Sequence, residues 1–260
     1  MSSTDDATVQ LNVDGGVATV AFNRPEHLNG ITNRMARELY ETLSAVAADS
    51  SVMALVLTGN GSAFCPGADL RHYSSGASDE TLRSEYFQVP VLLHEMPQVT
   101  IAAINGACAG AGMGYALACD FRYVSRTAKL NTAFLDVAVA GDMGIPWMLP
   151  RIVGNSVARE LSFFPGKLTA DEALDLGLVH SVLDPDELLP FVLERAQRLA
   201  GSAPLALRAM KAHYVAAESM SFADFIRLET EDHTRITQSQ DCKEAFAAFV
   251  EKRPAEFKGI

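Results

Sequence analysis

The stretch Ala63-Phe64-Cys65-Pro66-Gly67-Ala68-Asp69-Leu70 decides the fold, together with a second segment, Asn105-Gly106-Ala107-Cys108-Ala109-Gly110-Ala111-Gly112-Met113-Gly114. Each follows a short apolar run, and most of its side chains are too small to take part in chemistry. Backbone N–H groups remain as donors, because a branched Cβ would hold a ligand away from the amide. Two such amides that converge on one oxygen form an oxyanion hole, which stabilises charge developing on a carbonyl.

Composition limits the classes of protein to which the chain can belong. It has 260 residues, of which 48% are hydrophobic, and this suffices for one large core. The net charge of −11 argues against nucleic acid as a partner, since binding it needs a basic surface. No apolar run has the length of a membrane span, and residues 1–6 are too polar for a signal peptide. We expect a cytoplasmic protein.

The four cysteines are Cys65, Cys108, Cys119 and Cys242. They show neither C-x-x-C pairing nor histidine neighbours at metal-binding spacing, so we expect no metal site. We expect the thiols to be reduced and mostly buried, with Cys65 as an exposed exception near the candidate site.

The first part of the chain has strand and helix patterns in alternation. Residues 9–21 alternate apolar and polar side chains around two glycines, which predicts a β-hairpin. Residues 32–48 predict an amphipathic helix with Thr32 as its N-cap. The apolar runs 52–57 and 99–104 predict buried parallel strands. Between them, residues 74–78 predict a polar, mobile loop beside a substrate channel, and then a helix that Pro90 interrupts.

After Asp184 the pattern changes to successive helices, without a strand-like run between them. The predicted helices cover residues 187–200, 204–217, 222–237 and 241–250. Periodicity therefore predicts an α/β core over residues 1–184 and a helical region over residues 185–260.

Several motifs, taken in order, resemble the enoyl-CoA hydratase/isomerase (crotonase) superfamily over nearly the whole chain. They comprise the two segments quoted above and residues 22–29 (FNRPEHLN), 168–179 (LTADEALDLGLV) and 249–254 (FVEKRP). The resemblance implies an α/β crotonase fold, a spiral of ββα units with a helical C-terminal trimerisation region. It also implies a homotrimer or a dimer of trimers.

The resemblance further implies that the backbone N–H groups of Ala68 and Ala111 hold the thioester carbonyl of an acyl-CoA. Ala111 stands where glycine is commoner in the family, and it keeps a usable N–H if its φ is negative. The acyl-CoA is the substrate, so no cofactor is expected. Around these donors, the residues predicted to bind substrate are Ala63, Phe64, Asp69, Leu70 and Gly110. By resemblance, the basic residues predicted to lie near the CoA phosphates are Arg24, Lys252 and Lys258.

Two positions depart from the pattern of the family's hydratases. Those enzymes use two glutamates to position and activate water, and the matching positions here hold Gly114 and Phe134. Neither residue transfers a proton, so ordinary hydratase activity is not expected. Asp136 lies close by in sequence, and we interpret it as a surface or capping residue rather than a substitute acid.

Asp142 is the predicted catalytic carboxylate. It lies in the segment AVAGDMGIPWMLP (138–150), where apolar and glycine neighbours are unusual for an idle carboxylate. The segment is similar to that of ring-1,2-epoxyphenylacetyl-CoA isomerases and dienoyl-CoA isomerases, in which an aspartate here moves protons. The alternative is that Asp142 caps a helix beginning near Met143. The aromatic residues predicted to line a dry acyl pocket are Phe134, Trp147 and Phe87.

The sequence thus predicts an enoyl-CoA isomerase of fatty acid metabolism, in which Asp142 shuttles a proton on a thioester enolate. Two alternatives stay open. One is an enoyl-CoA hydratase, a lyase, with non-standard acid and base residues. The other is a non-catalytic acyl-CoA-binding protein.

Overall fold

The computed structural model describes residues 7–76 and 80–260, and its strands form two sheets. In chain order the strands are β1 (Val9–Asp14), β2 (Val17–Phe22), β3 (Ala54–Gly59), β4 (Ala63–Cys65), β5 (Val99–Ile104), β6 (Ala107–Ala109), β7 (Phe121–Ser125), β8 (Lys129–Asn131), β9 (Leu168–Thr169) and β10 (Ser181–Leu183). The larger sheet has the order β1-β2-β3-β5-β7-β10, and the smaller sheet has the order β4-β6-β8-β9. From β3 to β8, each strand of the larger sheet is followed by one of the smaller.

The helices complete the spiral. In chain order they are α1 (Asn33–Ala48), α2 (Leu70–Ser74), α3 (Val89–Glu95), α4 (Ala111–Ala118), α5 (Ile145–Val153), α6 (Asn155–Phe163), α7 (Ala170–Asp175), α8 (Leu188–Ala200), α9 (Pro204–Ala217), α10 (Phe222–Thr237) and α11 (Gln240–Glu251). Two turns of the spiral have the order strand, short strand, helix: β3-β4-α2 and β5-β6-α4. Because β4 and β6 pair in parallel, the segments that follow them lie side by side. The predicted α/β spiral of ββα units is confirmed.

The N-terminal predictions are confirmed. β1 and β2 form an antiparallel hairpin, and its turn residues Gly15 and Gly16 have φ of 53° and 80°, as the tight turn requires. Helix α1 begins after Thr32, whose side chain accepts a hydrogen bond from Met35 N.

The parallel strands of the larger sheet are mainly apolar because both faces of the sheet are covered. In β3, Leu55 and Leu57 point into the main core, whereas Ala54 and Val56 point to the opposite face. On that second face they pack against α8, the first helix of the C-terminal region. The division at residue 184 stays a prediction. Helix α8 contributes buried side chains to the core cluster on this face of the sheet.

The four predicted C-terminal helices match α8–α11, and each boundary is correct to within one residue. A partly buried ion pair connects this region to the core. Lys211 Nζ in α9 lies 2.7 Å from Asp120 Oδ2, and it also donates to Leu93 O over 3.2 Å. No helix in the described residues is long and apolar enough to cross a membrane.

Two predictions around α3 need correction or restriction. Pro90 does not interrupt a helix but stands in the first turn of α3, where its missing N–H costs nothing. A 3-10 turn, Ser84–Gln88, precedes it. Of the loop predicted over residues 74–78, residues 77 and 78 lie outside the described residues.

Candidate active site

The backbone N–H of Ala68 faces away from the nearest chain segment. Ile31 N donates to Gly67 O over 2.9 Å, and Asp69 N donates to Ile31 O over 3.0 Å. These two bonds use the groups on either side of Ala68, so its own N–H is directed the opposite way. Ala68 is exposed, and its N–H donates to no protein acceptor within the described residues.

Ala111 is the first residue of α4. The preceding Gly110 has φ of 51° and ends the turn without a side-chain cap, which leaves the amides of the first helical turn free. Ala111 has the negative φ of a helical residue, so the alanine keeps its N–H in the orientation that glycine would give. Within the described residues this N–H also lacks a protein acceptor, and it lies at the positive end of the helix.

The two segments pack backbone to backbone. A Cβ placed on Gly67 would lie 3.5 Å from Ala111 N and 3.2 Å from Ala109 O. Gly67 has φ of 96°, which also favours glycine. A Cβ on Gly110 would lie 3.7 Å from the Cα of Gly67. The small residues thus let the segment before Ala68 pack against the start of α4. That the amides of Ala68 and Ala111 converge on one oxygen stays a prediction.

An ion pair braces the first of these segments. Arg24 Nη2 lies 3.0 Å from Asp69 Oδ2, and Arg24 Nη1 donates to Gly30 O. Asp69 also caps α2 by accepting from His72 N over 3.0 Å. Burial alone would raise the pKa of Asp69, but these hydrogen bonds and the charge of Arg24 lower it overall. Arg24 is thus engaged within the protein, and its contact with a CoA phosphate stays a prediction.

Helix α4 packs against β4 and against the loop before α5, and two of its glycines permit this close packing. A Cβ on Gly112 would lie 2.1 Å from Cys65 O, so α4 is seated directly on β4. Cys65 is therefore fully buried, and the prediction that it is exposed is wrong. Burial raises the pKa of this thiol to about 12, which makes it unreactive near neutral pH.

Gly114, at one of the family's glutamate positions, touches the loop that carries the candidate base. A Cβ on Gly114 would lie 2.5 Å from Met143 Cβ and 2.7 Å from Met143 O. The space that a side chain would need at position 114 is therefore filled by the main chain next to Asp142.

Asp142 is half-buried in the loop before α5, and it does not cap that helix. The N-cap of α5 is Gly144, which has no side chain, and only the backbone carbonyl of Asp142 accepts from Ile145 N. The carboxylate atom Oδ1 is buried and has no hydrogen-bond partner within the described residues. Burial raises the pKa of Asp142. The capping alternative is wrong, because the helix starts two residues later than that alternative requires.

The loop before α5 holds an unusual run of left-handed residues. Positive φ values occur at Ala133 (60°), Ala138 (59°), Gly141 (106°), Met143 (49°) and Gly144 (75°). An alanine or a methionine in this region costs about 1 kcal/mol or more, and such strain concentrates at functional sites.

Phe134 lies between the start of α4 and the loop that carries Asp142. Its ring comes within 3.8 Å of a Cβ placed on Gly110 and within 3.6 Å of one placed on Gly141. It also lines a cavity of about 310 Å³ with Gly141, Ile145, Pro146 and Leu149. The cavity is also lined by the polar residues Asn155, Arg159 and Ser162, and none of Ala68, Ala111 and Asp142 lines it. Its use by an acyl chain stays a prediction.

The other predicted pocket aromatics do not line this cavity, and their contact with an acyl chain stays a prediction. The indole of Trp147 is covered by the guanidinium of Arg151 at 3.6 Å and meets His94 edge-on. Phe87 is exposed on the 3-10 turn before α3. Asp136 is exposed on a short 3-10 turn, as expected of a surface residue.

Four further residues that are predicted to bind substrate differ in their exposure to solvent: Ala63, Phe64, Gly110 and Leu70. Ala63 and Phe64 are buried in β4, where Phe64 packs edge-on against Phe22 at 5.2 Å. Any contact with a substrate is left to their backbone. Gly110 is buried at the start of α4, and Leu70 is exposed at the start of α2.

The two predicted lysines lie at the C-terminal end of the chain. Lys252 ends α11 in a left-handed conformation, and it is exposed. Lys258 N donates to Asp241 Oδ1 over 2.7 Å, and Lys258 lines a cleft with other charged residues of the C-terminal region. Ala68, Ala111 and Asp142 do not line that cleft. Contact of these lysines with CoA phosphates stays a prediction.

Sequence analysis missed Tyr115, which follows Gly114 in α4. Its side chain is fully buried, and its hydroxyl has no hydrogen-bond partner within the described residues. The signal was present, because Tyr115 is one large polar residue in a helix that otherwise reads Ala-Gly-Met-Gly-Tyr-Ala-Leu-Ala.

Comparison with known proteins identifies the family to which the chain belongs. The sequence model described as Enoyl-CoA hydratase/isomerase matches residues 12–260. The chain belongs to this family. The match includes Ala68, Ala111 and Asp142, and it also includes the whole C-terminal helical region.

The relatives of this chain include a protein named as an isomerase and a protein named as a hydratase. The chain is 33% identical over 254 residues to the 1,2-epoxyphenylacetyl-CoA isomerase of Escherichia coli (strain K12), covering 95% of this chain and 97% of the relative. It is 32% identical over 254 residues to the short-chain-enoyl-CoA hydratase of Clostridium acetobutylicum, covering 95% and 96%. The crystal structure of an enoyl-CoA hydratase from Bacillus anthracis superposes with a TM-score of 0.90 at 28% identity, covering 97% of this chain and all of that chain.

Proposed function

We propose that this family member is an enoyl-CoA isomerase, in which one carboxylate, that of Asp142, moves a proton along the acyl chain. The observation that carries this proposal is the buried Asp142 Oδ1, which has no hydrogen-bond partner in the described part of the chain. A carboxylate in such surroundings is costly for the fold, and such groups are frequent at functional sites. Gly114 and Phe134 supply no second proton carrier at the positions where the family's hydratases have glutamates.

The proposed reaction starts with an acyl-CoA that has a double bond between C3 and C4. The thioester oxygen accepts hydrogen bonds from the backbone N–H groups of Ala68 and Ala111. The carboxylate of Asp142 removes a proton from C2, and the electron pair is delocalised into a dienolate with its negative charge on the thioester oxygen. The carboxyl of Asp142 then returns the proton to C4. The product has its double bond between C2 and C3, and no water is consumed.

The electrostatics of the site favour this sequence of steps. Each oxyanion donor is worth roughly 3–4 kcal/mol to the transition state, because the charge develops where the amides already point. Burial raises the pKa of Asp142, so its carboxylate is a stronger base than an exposed aspartate. Apolar walls such as that formed by Phe134 keep competing water away from the dienolate.

The test compares the wild type with Asp142→Asn on a 3-enoyl-CoA in heavy water, with products followed by NMR and mass spectrometry. We expect conversion to the 2-enoyl-CoA with less than one deuterium per turnover at C4, because a single base returns part of the original hydrogen. The D142N variant should lose roughly 10²–10⁴-fold in kcat and still bind the acyl-CoA. The matched control is Asp136→Asn, because Asp136 is exposed on a neighbouring turn.

Two results would replace the proposal. Faster hydration of a 2-enoyl-CoA to a 3-hydroxyacyl-CoA than isomerisation by the wild type would make the protein a hydratase with non-standard residues. Tight binding of 2-enoyl-CoA and 3-enoyl-CoA with neither exchange nor turnover would make it a non-catalytic acyl-CoA-binding protein.

We also propose that the protein assembles as a homotrimer or a dimer of trimers through its C-terminal helices. Support comes from large apolar side chains that are exposed on α9–α11 of the single chain: Met210, Tyr214, Phe222, Phe246, Phe249 and Val250. Exposed apolar surface of this kind marks interaction sites. Light scattering during size-exclusion chromatography would test this, and a 27.9 kDa species at micromolar concentration would contradict it.

A further inference from the structure

The hydroxyl of Tyr115 is placed where no structural role explains it. The ring stacks on Phe22 at 6.2 Å with an interplanar angle of 25°, so packing accounts for the aromatic part. The hydroxyl is buried without a hydrogen-bond partner in residues 7–76 and 80–260. Buried tyrosine hydroxyls are normally paired, and a phenylalanine would fill the same space without that penalty. The hydroxyl therefore points to a partner other than the groups that pack around the ring.

A complementary atom lies on the adjoining loop. Gly114, the neighbour of Tyr115, is in direct contact with Met143, the neighbour of Asp142. Asp142 Oδ1 is a buried acceptor without a partner in the described residues, and the hydroxyl of Tyr115 is a buried donor in the same condition. The two atoms are not hydrogen-bonded to each other in the unliganded protein. Burial raises the pKa of Tyr115, and the carboxylate of Asp142 raises it further.

The titratable groups that act on this hydroxyl come from three elements. They are Cys65 on β4, Asp142 on the loop before α5 and Tyr73 on α2. Of these three types of side chain, only aspartate ordinarily ionises below neutral pH. The carboxylate is thus the one anionic acceptor among the groups that act on Tyr115.

We propose that Tyr115 is a positioning residue for Asp142: when an acyl-CoA occupies the site, its hydroxyl donates a hydrogen bond to the carboxylate. This proposal rests on the proposed function, in which Asp142 is the base. A donor to the charged form opposes the effect of burial on the carboxyl group and fixes the direction of its free oxygen. Tyr115 would set the pH range in which the base is ionised without touching the acyl chain.

The kinetic test is the pH dependence of kcat for Tyr115→Phe. Removal of the donor should move the acid limb upward by about one pH unit and leave kcat on the high-pH plateau within about threefold. The matched control is Tyr123→Phe, which removes the hydroxyl of a buried tyrosine in the other core cluster and should leave the profile unchanged. An acid limb at the same pH in wild type and Y115F would overturn the proposal.

A second measurement separates this proposal from the proposed function. The Asp142 carboxyl is titrated by ¹³C NMR in the complex with butyryl-CoA, which has no double bond to move, and D142N assigns the signal. We expect a higher titration midpoint in Y115F than in wild type, even if D142N were to retain isomerase activity and so refute the role of Asp142 as base. Equal midpoints would overturn the role of Tyr115 whatever the activity of D142N.

Thermal unfolding of the unliganded protein excludes a purely structural role. Because the hydroxyl is unpaired and buried there, Y115F should melt at the same temperature as wild type or higher. A fall of several degrees would assign the hydroxyl to the fold and overturn the proposal.

Discussion

Replacement of Gly114 by alanine tests whether the contact between α4 and the Asp142 loop positions the base. In a helix interior, glycine to alanine ordinarily stabilises a protein by about 1 kcal/mol. Here the added Cβ would lie 2.5 Å from Met143 Cβ and 2.7 Å from Met143 O. The second of these atoms belongs to the backbone, so a change of rotamer cannot relieve the contact.

The size of the effect follows from these distances. Ordinary contact of a Cβ begins at 3.4 Å, so Met143 O at 2.7 Å must move by about 0.7 Å. Forced packing of this kind costs about 1–3 kcal/mol, which the gain in helix propensity only partly offsets. Displacement of a catalytic group by 1 Å costs roughly 10²-fold, so we expect kcat to fall by roughly 10–100-fold as Asp142 moves with its neighbour.

The assay measures isomerisation of a 3-enoyl-CoA and thermal unfolding of wild type and G114A. The matched control is Gly166→Ala, because a Cβ at position 166 meets nothing within 4 Å. G166A should change neither kcat nor the melting temperature. If G114A keeps wild-type kcat and gains stability, the contact between Gly114 and Met143 is not rigid and the reasoning is refuted.

Three further predictions concern buried groups. Lys211→Met should lower the free energy of unfolding by about 1–3 kcal/mol, because the partly exposed Asp120 loses its charged partner but keeps its hydrogen bonds from Thr100; an unchanged or higher stability in chemical denaturation would contradict this. Iodoacetamide at pH 8 should label the partly exposed Cys242 well before Cys65, whose pKa is raised to about 12 by burial; equal labelling in peptide mass spectra would refute it. Asp142→Asn should make the protein more stable at pH 7 but not near pH 3 in thermal melts. The raised pKa of Asp142 means that native protein loses stability as pH rises from the ordinary aspartate pKa through the raised one, so an equal gain at both pH values would contradict this.

Local sequence patterns predicted the helices and strands whose hydrophobic periodicity extends over many residues. The hairpin β1–β2, helix α1 and helices α8–α11 each have periodicity over ten or more residues, and their boundaries were found to within one or two residues. Strands β4, β6, β8 and β9 have only two or three residues each, too few for a pattern. Their pairing depends on stacking of successive spiral turns, which became predictable only through the resemblance to the family.

The sequence predicts the candidate site most directly where backbone chemistry decides it, and the use of that site stays a prediction. Small residues around Ala68 and Ala111 restrict that part of the site to amide donors, and this can be read from side-chain size alone. The role of Asp142 as cap or free carboxylate could not be read in this way, because it depends on positive φ at Met143 and Gly144, which delay α5. Cys65 was predicted wrongly because its burial comes from Gly112, nearly fifty residues later in the chain.

The contact between Gly114 and Met143 bears on the first of the two positions at which the resemblance implies a glutamate in the family's hydratases. The volume that a side chain would need at Gly114 is filled by Cβ and the backbone of Met143, a left-handed residue that follows Asp142. In this backbone a glutamate at position 114 and the observed loop therefore exclude each other. Gly114→Glu alone should accordingly not create a hydratase, because the loop must move before the new carboxylate fits. Under the proposed mechanism, two carboxylates around a water molecule are replaced by one carboxylate beside an apolar wall, and that arrangement transfers protons between carbons.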